Sequence, residues 1–508
     1  MMKTLKLNRA EYREKVLGCF LGKNIGGTLG APMEWYRQVN NVKFYTQELG
    51  GEPLPNDDLD IQLIWLVALE EMGVKVDPIT LADYWCTYLT PHWDEYGQAK
   101  ANMRTGLLPP LSGDVNNEDK HSCGAFIRSE IWACIAPGNP DIAVQYAYND
   151  AILDHGGTGE GTYAEMFCAA LESAAFVESD IQKLIEIGLS YIPDGSATKK
   201  AVKDVISEFA KGKHYLEIRD HILRFHRGSP RRRPIPPEDV EKGFDDGVLG
   251  FDAPTNIAIL VLGLLWGGDD FGKVVCSTVN CGEDTDCTAA TAASVYGIIY
   301  GASGIPEKWV KPIGHSIKTA CINLGEMGIE DSLIPQDIEE LTERIAKLAD
   351  LVLLTFPKIC MLTDEASCTP ANTAESFNGT KLLAELMSNA SGPVFKTDFF
   401  TVGLNYGDTG PFIKSGVKKT IKLKLKSNYR VQGNMSLHIY APDNLEISPS
   451  RDGFVDCLRC LDNRQALEIS FLCEKVEGHI IRGVVELVCD SRPVTILIPI
   501  TFINGDFY

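Results

Sequence analysis

Val16-Leu-Gly-Cys-Phe-Leu-Gly-Lys-Asn-Ile-Gly-Gly-Thr-Leu-Gly30 reads two ways at once, and both readings are helical. Val16, Leu17, Phe20, Leu21 and Ile25 form an apolar stripe at the helical period. Gly18, Gly22, Gly26 and Gly30 recur every fourth residue, so on a helix they line one face and admit another backbone at close range. Lys23 and Asn24 within the run argue against a pair of helices in a membrane. Gly26-Gly27 suggests that the helix frays before Pro32, with Glu34 emerging just beyond.

The same period continues along the chain. Ile61, Ile64, Trp65, Ala68 and Leu69 form a second stripe, and further helical runs are expected at 79–89, 124–136, 141–153, 161–177, 180–191, 197–211, 255–266, 288–301 and 335–355. Residues 1–365 are therefore expected to form an all-α, bundle-like domain. Trp65 and Trp266 fall in apolar runs and read as core. After a break around Thr363 to Gly379 the texture changes. Thr420-Ile-Lys-Leu-Lys-Leu-Lys426 alternates apolar and charged residues with period two, as a strand solvated on one face does. Similar runs at 398–404, 434–440, 466–473, 479–489 and 493–503, separated by turns such as Ala441-Pro-Asp-Asn444, predict an antiparallel β-sandwich over residues 366–508. The fold class is thus mainly α with a smaller C-terminal β-sandwich domain. That second domain shows no catalytic constellation; its role stays open, with recruitment of a partner as one reading.

A length of 508 residues suits two domains, one of them large. The net charge of -21 argues against nucleic acid or an anionic membrane as a partner, because either needs clustered Lys and Arg. The apolar stretch from Ile257 to Trp266 is about half of the ~20 residues a membrane span requires, and the first residues lack the apolar core of a secretory signal. A cytoplasmic setting is expected, with the fifteen cysteines reduced and mostly small core residues. Cys457-Leu-Arg-Cys460 is a single CxxC, which without a second pair reads as coincidence. Arg231-Arg-Arg233, inside the proline-rich stretch from Arg227 to Pro237, reads as a solvated loop.

Two acidic clusters carry the chemistry: Asn56-Asp-Asp-Leu-Asp60 and Gly282-Glu-Asp-Thr-Asp-Cys287. Each stands immediately before a long apolar run, so both present carboxylates at helix starts. Each alone is explained by the helix dipole and by capping of free N–H groups. Together, and with Glu34, they point to a shared site for a hard divalent cation.

The ordered set Gly18-x3-Gly22-x3-Gly26-x3-Gly30-Ala-Pro-x-Glu34, Asn56-Asp-Asp58, Gly282-Glu-Asp-Thr-Asp286, Tyr296-Gly-x2-Tyr-Gly301 and Ile305-Pro306 resembles the ADP-ribosylglycohydrolase family over roughly residues 11–350. The resemblance implies a cleft holding two divalent cations, Mg2+ or Mn2+, on Asp57, Asp58, Asp284 and Asp286, with Asn56 and Cys287 beside them as further candidate ligands. Two ions about 3.5–4 Å apart bind ribose hydroxyls together with a water. Glu34 and Asp58 are the candidate catalytic carboxylates for attack at an anomeric carbon. The substrate implied is an ADP-ribosylated protein side chain or ADP-ribosyl small molecule. A smaller nucleoside or ribosyl metabolite is the alternative substrate, and a non-catalytic nucleotide-binding role is the third reading.

Substrate walls are expected at Gly124, within His121-Ser-Cys-Gly-Ala-Phe-Ile-Arg128, at His155, Gly156 and Gly157, and at Asn102 on a cleft lip. Arg128 is expected to order their surroundings. The chain departs from the family pattern at Asn56 and Cys287, where Thr is common, and at Gly27, where an Asp is usual. Cysteine sulfur is a poor ligand for magnesium, so either it stays off the metal or Thr288 compensates.

Overall fold

The glycine face of the first helix, Arg9–Gly30, is pressed against a second helix, Thr285–Tyr300, and the pairing is antiparallel. A Cβ added at Gly18, Gly22, Gly26 or Gly30 would lie 2.5 Å or less from the carbonyl oxygen of Gly297, Ala293, Ala289 or Thr285, respectively. Such a step of four residues on both partners leaves no room for any side chain along the seam. Each interior glycine costs a helix about 1 kcal/mol against alanine, and backbone-to-backbone packing offsets that cost here. The expected fraying at Gly26-Gly27 is therefore absent. The helix runs to Gly30, and Pro32 sits in a 3-10 turn, Ala31–Met33. At the other end the Asn8 side chain accepts hydrogen bonds from the amides of Ala10 and Glu11 and caps the helix.

The computed structural model describes residues 5–35, 37–226, 250–323, 333–356, 359–370, 373–397, 399–428, 434–456, 465–490 and 494–508. The Arg231–Arg233 run and the CxxC at Cys457 lie outside them. Around the central pair stand Asp57–Met72, Pro78–Tyr88, Pro140–Ala151, Glu160–Ala175, Ile181–Ser190, Ala197–Ala210, Ala253–Gly267 and Ile338–Thr355. The run expected at 124–136 divides into a 3-10 turn, Phe126–Arg128, and a short helix, Glu130–Ile135. Asp94–Thr105, Tyr215–Phe225 and Phe271–Asn280 are helices the periodicity did not reveal. The first of these buries Glu95, Lys100 and Asn102 as well as Tyr96 and Ala99, so it carries no clean apolar stripe. Trp65 is fully buried, whereas Trp266 is half-buried against His214 and Tyr215. The described cysteines are free thiols. Among the described residues, no helix is long and apolar enough to cross a membrane.

In the C-terminal region two five-stranded sheets share one core. One sheet runs in the order Val394–Lys396, Phe400–Asn405, Lys419–Ser427, Gln465–Leu472, Glu446–Ser448. The other runs Phe412–Ile413, Val494–Asn504, Ile480–Cys489, Asn434–Tyr440, Asp452–Asp456. All pairings are antiparallel except that of Phe412–Ile413 with the last strand. Ile421, Leu423 and Leu425 point into the core while Lys422, Lys424 and Lys426 alternate outward, as the period-two run predicts. Leu107, Leu111 and Val115 from the helical part enter the same core. The Gly106 carbonyl accepts from the Thr501 hydroxyl at 2.9 Å, and the Thr105 carbonyl from Arg482 at 3.0 Å. The region also contains a helix, Thr380–Met387, whose Leu386 packs into the helical core.

Candidate metal centre and cleft

The seam between the two glycine-paired helices also builds the site. Because Gly30 lies on the backbone of Thr285, the chain leaving the first helix delivers Glu34 beside the start of the second. Gly282 and Glu283 both adopt positive φ, +77° and +67°, a left-handed reversal that costs Glu283 conformational energy. Arg37, 3.0 Å from the Glu283 carboxylate, and Trp35, whose amide donates to the Glu283 carbonyl at 2.8 Å, hold that turn in place. The Asn256 side chain accepts from the Asp284 amide at 3.2 Å. Asn56 caps Asp57–Met72 by accepting from the Asp58 amide at 2.9 Å, which sets Asp57 and Asp58 in the first turn.

These elements bring Glu34, Asp57, Asp58, Asp284, Asp286 and Cys287 together. Ligand atoms of Glu34, Asp284 and Asp286 lie within 4.8 Å of one another, as do those of Asp58, Asp286 and Cys287, so Asp286 belongs to both groups. Asp284 Oδ1 and Asp286 Oδ1 are buried and accept no hydrogen bond, and such orphaned oxygens are costly without a partner. Burial, aggravated by the neighbouring carboxylates, pushes Glu34 up to about 9 and Asp57 up to about 6 and raises Asp284, as well as Asp58 in spite of Lys23, whereas Asp286 is raised by burial against the hydrogen bonds it receives. A crowded set of hard oxygens whose like charges oppose one another is the donor set a divalent cation relieves, and the residues present fit magnesium or manganese. Cys287 is held as a thiol by burial and by Asp284, and its Sγ lies 3.5 Å from Asp58 Oδ1. The Thr288 hydroxyl donates to the Asp284 carbonyl at 2.8 Å. In this arrangement the oxygen of Asn56 is used as the cap, and its amide nitrogen stands 3.3 Å from Asp286 Oδ2.

Over the carboxylates opens a cleft of about 540 Å³ bounded by Glu34, Asp57, Glu95, Tyr96, Cys123, Gly124, Ile127, Asp284 and Cys287, with Trp35, Trp93 and Phe251 at its mouth. Trp35 and Trp93 are more than half exposed, unusual for rings that the core would otherwise bury. The Tyr96 hydroxyl donates to Asp57 at 3.2 Å. Behind the floor, Lys23 is fully buried, 2.8 Å from Glu130 and 3.5 Å from Asp58. Burial works against its charge, but Glu130 and Asp58 prevail and hold it above its ordinary value. Arg128, also buried, pairs with Asp150 at 2.9 Å and Asp154 at 2.7 Å while donating to the Gly124 carbonyl at 2.6 Å, so it fixes the wall that Gly124 forms.

The remaining substrate-wall candidates are not among the residues that bound the cleft. Asn102 donates to the carbonyls of Ser112 and Val115, both at 2.7 Å, and so ties the helical part to the segment that enters the β core. His155 is fully buried, with burial lowering it to about 4, and its Nδ1 meets the Lys120 carbonyl at 3.2 Å. Gly156 turns at φ +65° against Asp114, and Gly157 packs on the Ala390 backbone. Sequence reasoning missed Lys23, Glu130, Tyr96 and the aromatic mouth as parts of the site, while Cys123 lies in the His121–Arg128 segment expected as a wall. A lysine interrupting the glycine helix was the available signal for a buried carboxylate nearby.

A family model described as ADP-ribosylglycohydrolase matches residues 8–352. A curated relative, ADP-ribosylarginine hydrolase Tri1 of Pseudomonas putida, is 35% identical over 52 residues, a match spanning 10% of this chain and only 14% of that protein. Tri1 of Serratia proteamaculans is 20% identical over 317 residues, 59% of this chain and 75% of that protein. An uncharacterized protein of Archaeoglobus fulgidus is 23% identical over 310 residues, 59% of this chain and 91% of its own. Among solved structures, a FixG-related protein from Vibrio parahaemolyticus is 15% identical, covering 22% of this chain and 99% of that one, at a TM-score of 0.18.

Proposed function

This chain belongs to the ADP-ribosylglycohydrolase family, and from that premise we propose that it hydrolyses the glycosidic bond joining ADP-ribose to a protein side chain or small molecule. The observation that carries this reading is the overlap of two ligand groups at Asp286 beneath the cleft. Asp57, Asp58, Asp284 and Asp286 would hold two magnesium or manganese ions, with Asn56 and Cys287 at the margin. When bound, such ions supply Lewis-acid binding of ribose hydroxyls and lower the pKa of water.

The residues of the chain do the rest. Breaking the bond develops positive charge on the ribose ring, which the carboxylate-lined floor favours over the neutral ground state. Glu34, half-buried at the mouth and within reach of the Asp284 and Asp286 oxygens, takes the proton of the attacking water at its carboxylate as the anomeric C–N or C–O bond breaks, and gives that proton to the departing nitrogen or oxygen. Asp58, neutralised by Lys23 and capped by the Cys287 thiol, is the weaker candidate for that step. Trp35, Phe251 and Trp93 offer faces on which a purine stacks, and Tyr96 keeps Asp57 oriented. Residues 1–365 would form the catalytic unit, and residues 366–508 would recruit a partner. The free thiols fit a reducing, cytoplasmic setting.

One observation favours the second reading, a nucleoside or small ribosyl metabolite as substrate. Among the described residues that bound the cleft there is no Lys or Arg and His92 is the lone basic side chain, so a diphosphate meets mostly carboxylates there. The test is a screen of ADP-ribosylated arginine and serine peptides, ADP-ribosyl small molecules and plain nucleosides, each with Mg2+ or Mn2+ and with EDTA. Cation-dependent release of ADP-ribose is the expected result. Turnover of nucleosides alone would replace the first reading with the second. Absence of any turnover, with cation-induced stabilisation unchanged by joint Asp57→Ala and Asp284→Ala substitution, would refute both.

A further inference from the structure

Away from the cleft, helices Ala197–Ala210 and Tyr215–Phe225 bring Asp204, His221 and His226 to one point. We propose that these three side chains form a second metal site, for a borderline transition-metal ion of the zinc class. One ligand atom from each lies within 4.8 Å of the others. The Nε2 atoms of both imidazoles converge on the same carboxylate oxygen, His226 at 2.7 Å and His221 at 3.4 Å from Asp204 Oδ2. Bonds of about 2.0–2.1 Å to a tetrahedral zinc separate neighbouring ligand atoms by about 3.3 Å, so the His221 edge already has the required length and the His226 edge needs a small opening. Two imidazoles and one carboxylate suit zinc, cobalt or nickel and not magnesium, which separates this site from the oxygen-lined cleft.

The ligands are held by their own packing. The His221 ring rests on Phe225 at 4.7 Å between centroids. His226 follows the helix end, its amide donating to the Ile222 carbonyl at 2.9 Å and its carbonyl accepting from the Thr255 hydroxyl at 3.1 Å. Asp204 is about half exposed, at 48% of its side chain, so an ion and a completing water reach it from solvent. An ion here would fasten the end of one helix to the middle of its neighbour. Thr255 lies in the first turn of Ala253–Gly267, next to Asn256, which holds the Asp284 amide, so the fastening adjoins the base of the cleft.

The experiment uses the full chain, stripped with chelator and then saturated with Mg2+ to occupy the cleft, and titrates Co2+ while following the visible absorption of low-coordinate cobalt. The expected result is one equivalent of Co2+ bound and displaced by Zn2+, lost in His221→Gln/His226→Gln and kept in Asp57→Asn/Asp284→Asn. X-ray absorption of the unmodified zinc-loaded chain is expected to show two imidazole nitrogens around the ion, a readout that does not depend on a variant folding. Unchanged cobalt binding in the histidine variant, loss of that binding in the cleft variant, or a zinc shell lacking imidazole would overturn the proposal and leave a hydrogen-bonded triad only.

Discussion

Replacing Asp57 with asparagine is expected to raise stability without divalent cation and to lose most of that advantage with it. Without cation, folding buries the Asp57 carboxyl and sets it beside Asp286, raising it from 3.8 to about 6. At about 1.4 kcal/mol per pH unit, keeping it ionised in the fold at pH 7.5 costs about 3 kcal/mol. The folded value lies above the unfolded one, so the penalty is absent below about pH 4, grows as pH rises and is complete above about pH 6. Asparagine keeps the shape and can still accept from Tyr96, but it carries no charge. In EDTA at pH 7.5 the variant should therefore exceed the wild type by up to about 3 kcal/mol, several degrees in Tm, and the difference should vanish near pH 4. With Mn2+ at about one hundred times its Kd the wild type gains about 2.7 kcal/mol, and the variant, lacking a ligand, gains much less. Thermal unfolding of both chains in EDTA and in MnCl2 at the two pH values reads all four quantities. A variant no more stable than wild type in EDTA would refute the crowding argument. Equal Mn2+ gains would remove Asp57 from the cation site.

Three further substitutions test other parts of the structure. Gly26→Ala drives a Cβ into the backbone carbonyl of Ala289, which cannot swing aside, and should cost about 3 kcal/mol in urea unfolding. Gly50→Ala, with open space around it, is the control and should change little, so equal effects would discredit the seam. Lys23→Met leaves Asp58 and Glu130 buried without their cation and should cost about 3–5 kcal/mol. Adding Glu130→Gln should recover part of that loss, and no recovery would show that the pair is not coupled. Trp35→Ala removes a stacking face worth about 1–3 kcal/mol and should raise KM roughly tenfold while kcat changes little. A fall in kcat at constant KM would place Trp35 elsewhere in the cycle.

What the sequence made legible was whatever a single helical period could encode. The four-residue glycine repeat and the acidic residues ahead of two apolar runs are local signals, and the antiparallel seam converts them into one place, since Gly30 on Thr285 carries Glu34 to Asp286. The same seam explains why local propensity misled at Gly26-Gly27, where tertiary packing outweighed the intrinsic preference to fray. Glu130 and Tyr96 were not legible because each comes from a different segment and neither has a neighbour in sequence that marks it. His155-Gly-Gly157 shows the converse. A glycine-rich turn after a histidine has the same letters whether its amides face a phosphate or a packed joint, and here Gly156 meets Asp114 and Gly157 meets Ala390. Glycine spacing thus reports that something approaches closely, and only the partner's identity says whether it is a substrate or another stretch of backbone. At Gly18, Gly22, Gly26 and Gly30 that partner is a helix, and the cleft exists because those four positions leave nothing between the two backbones.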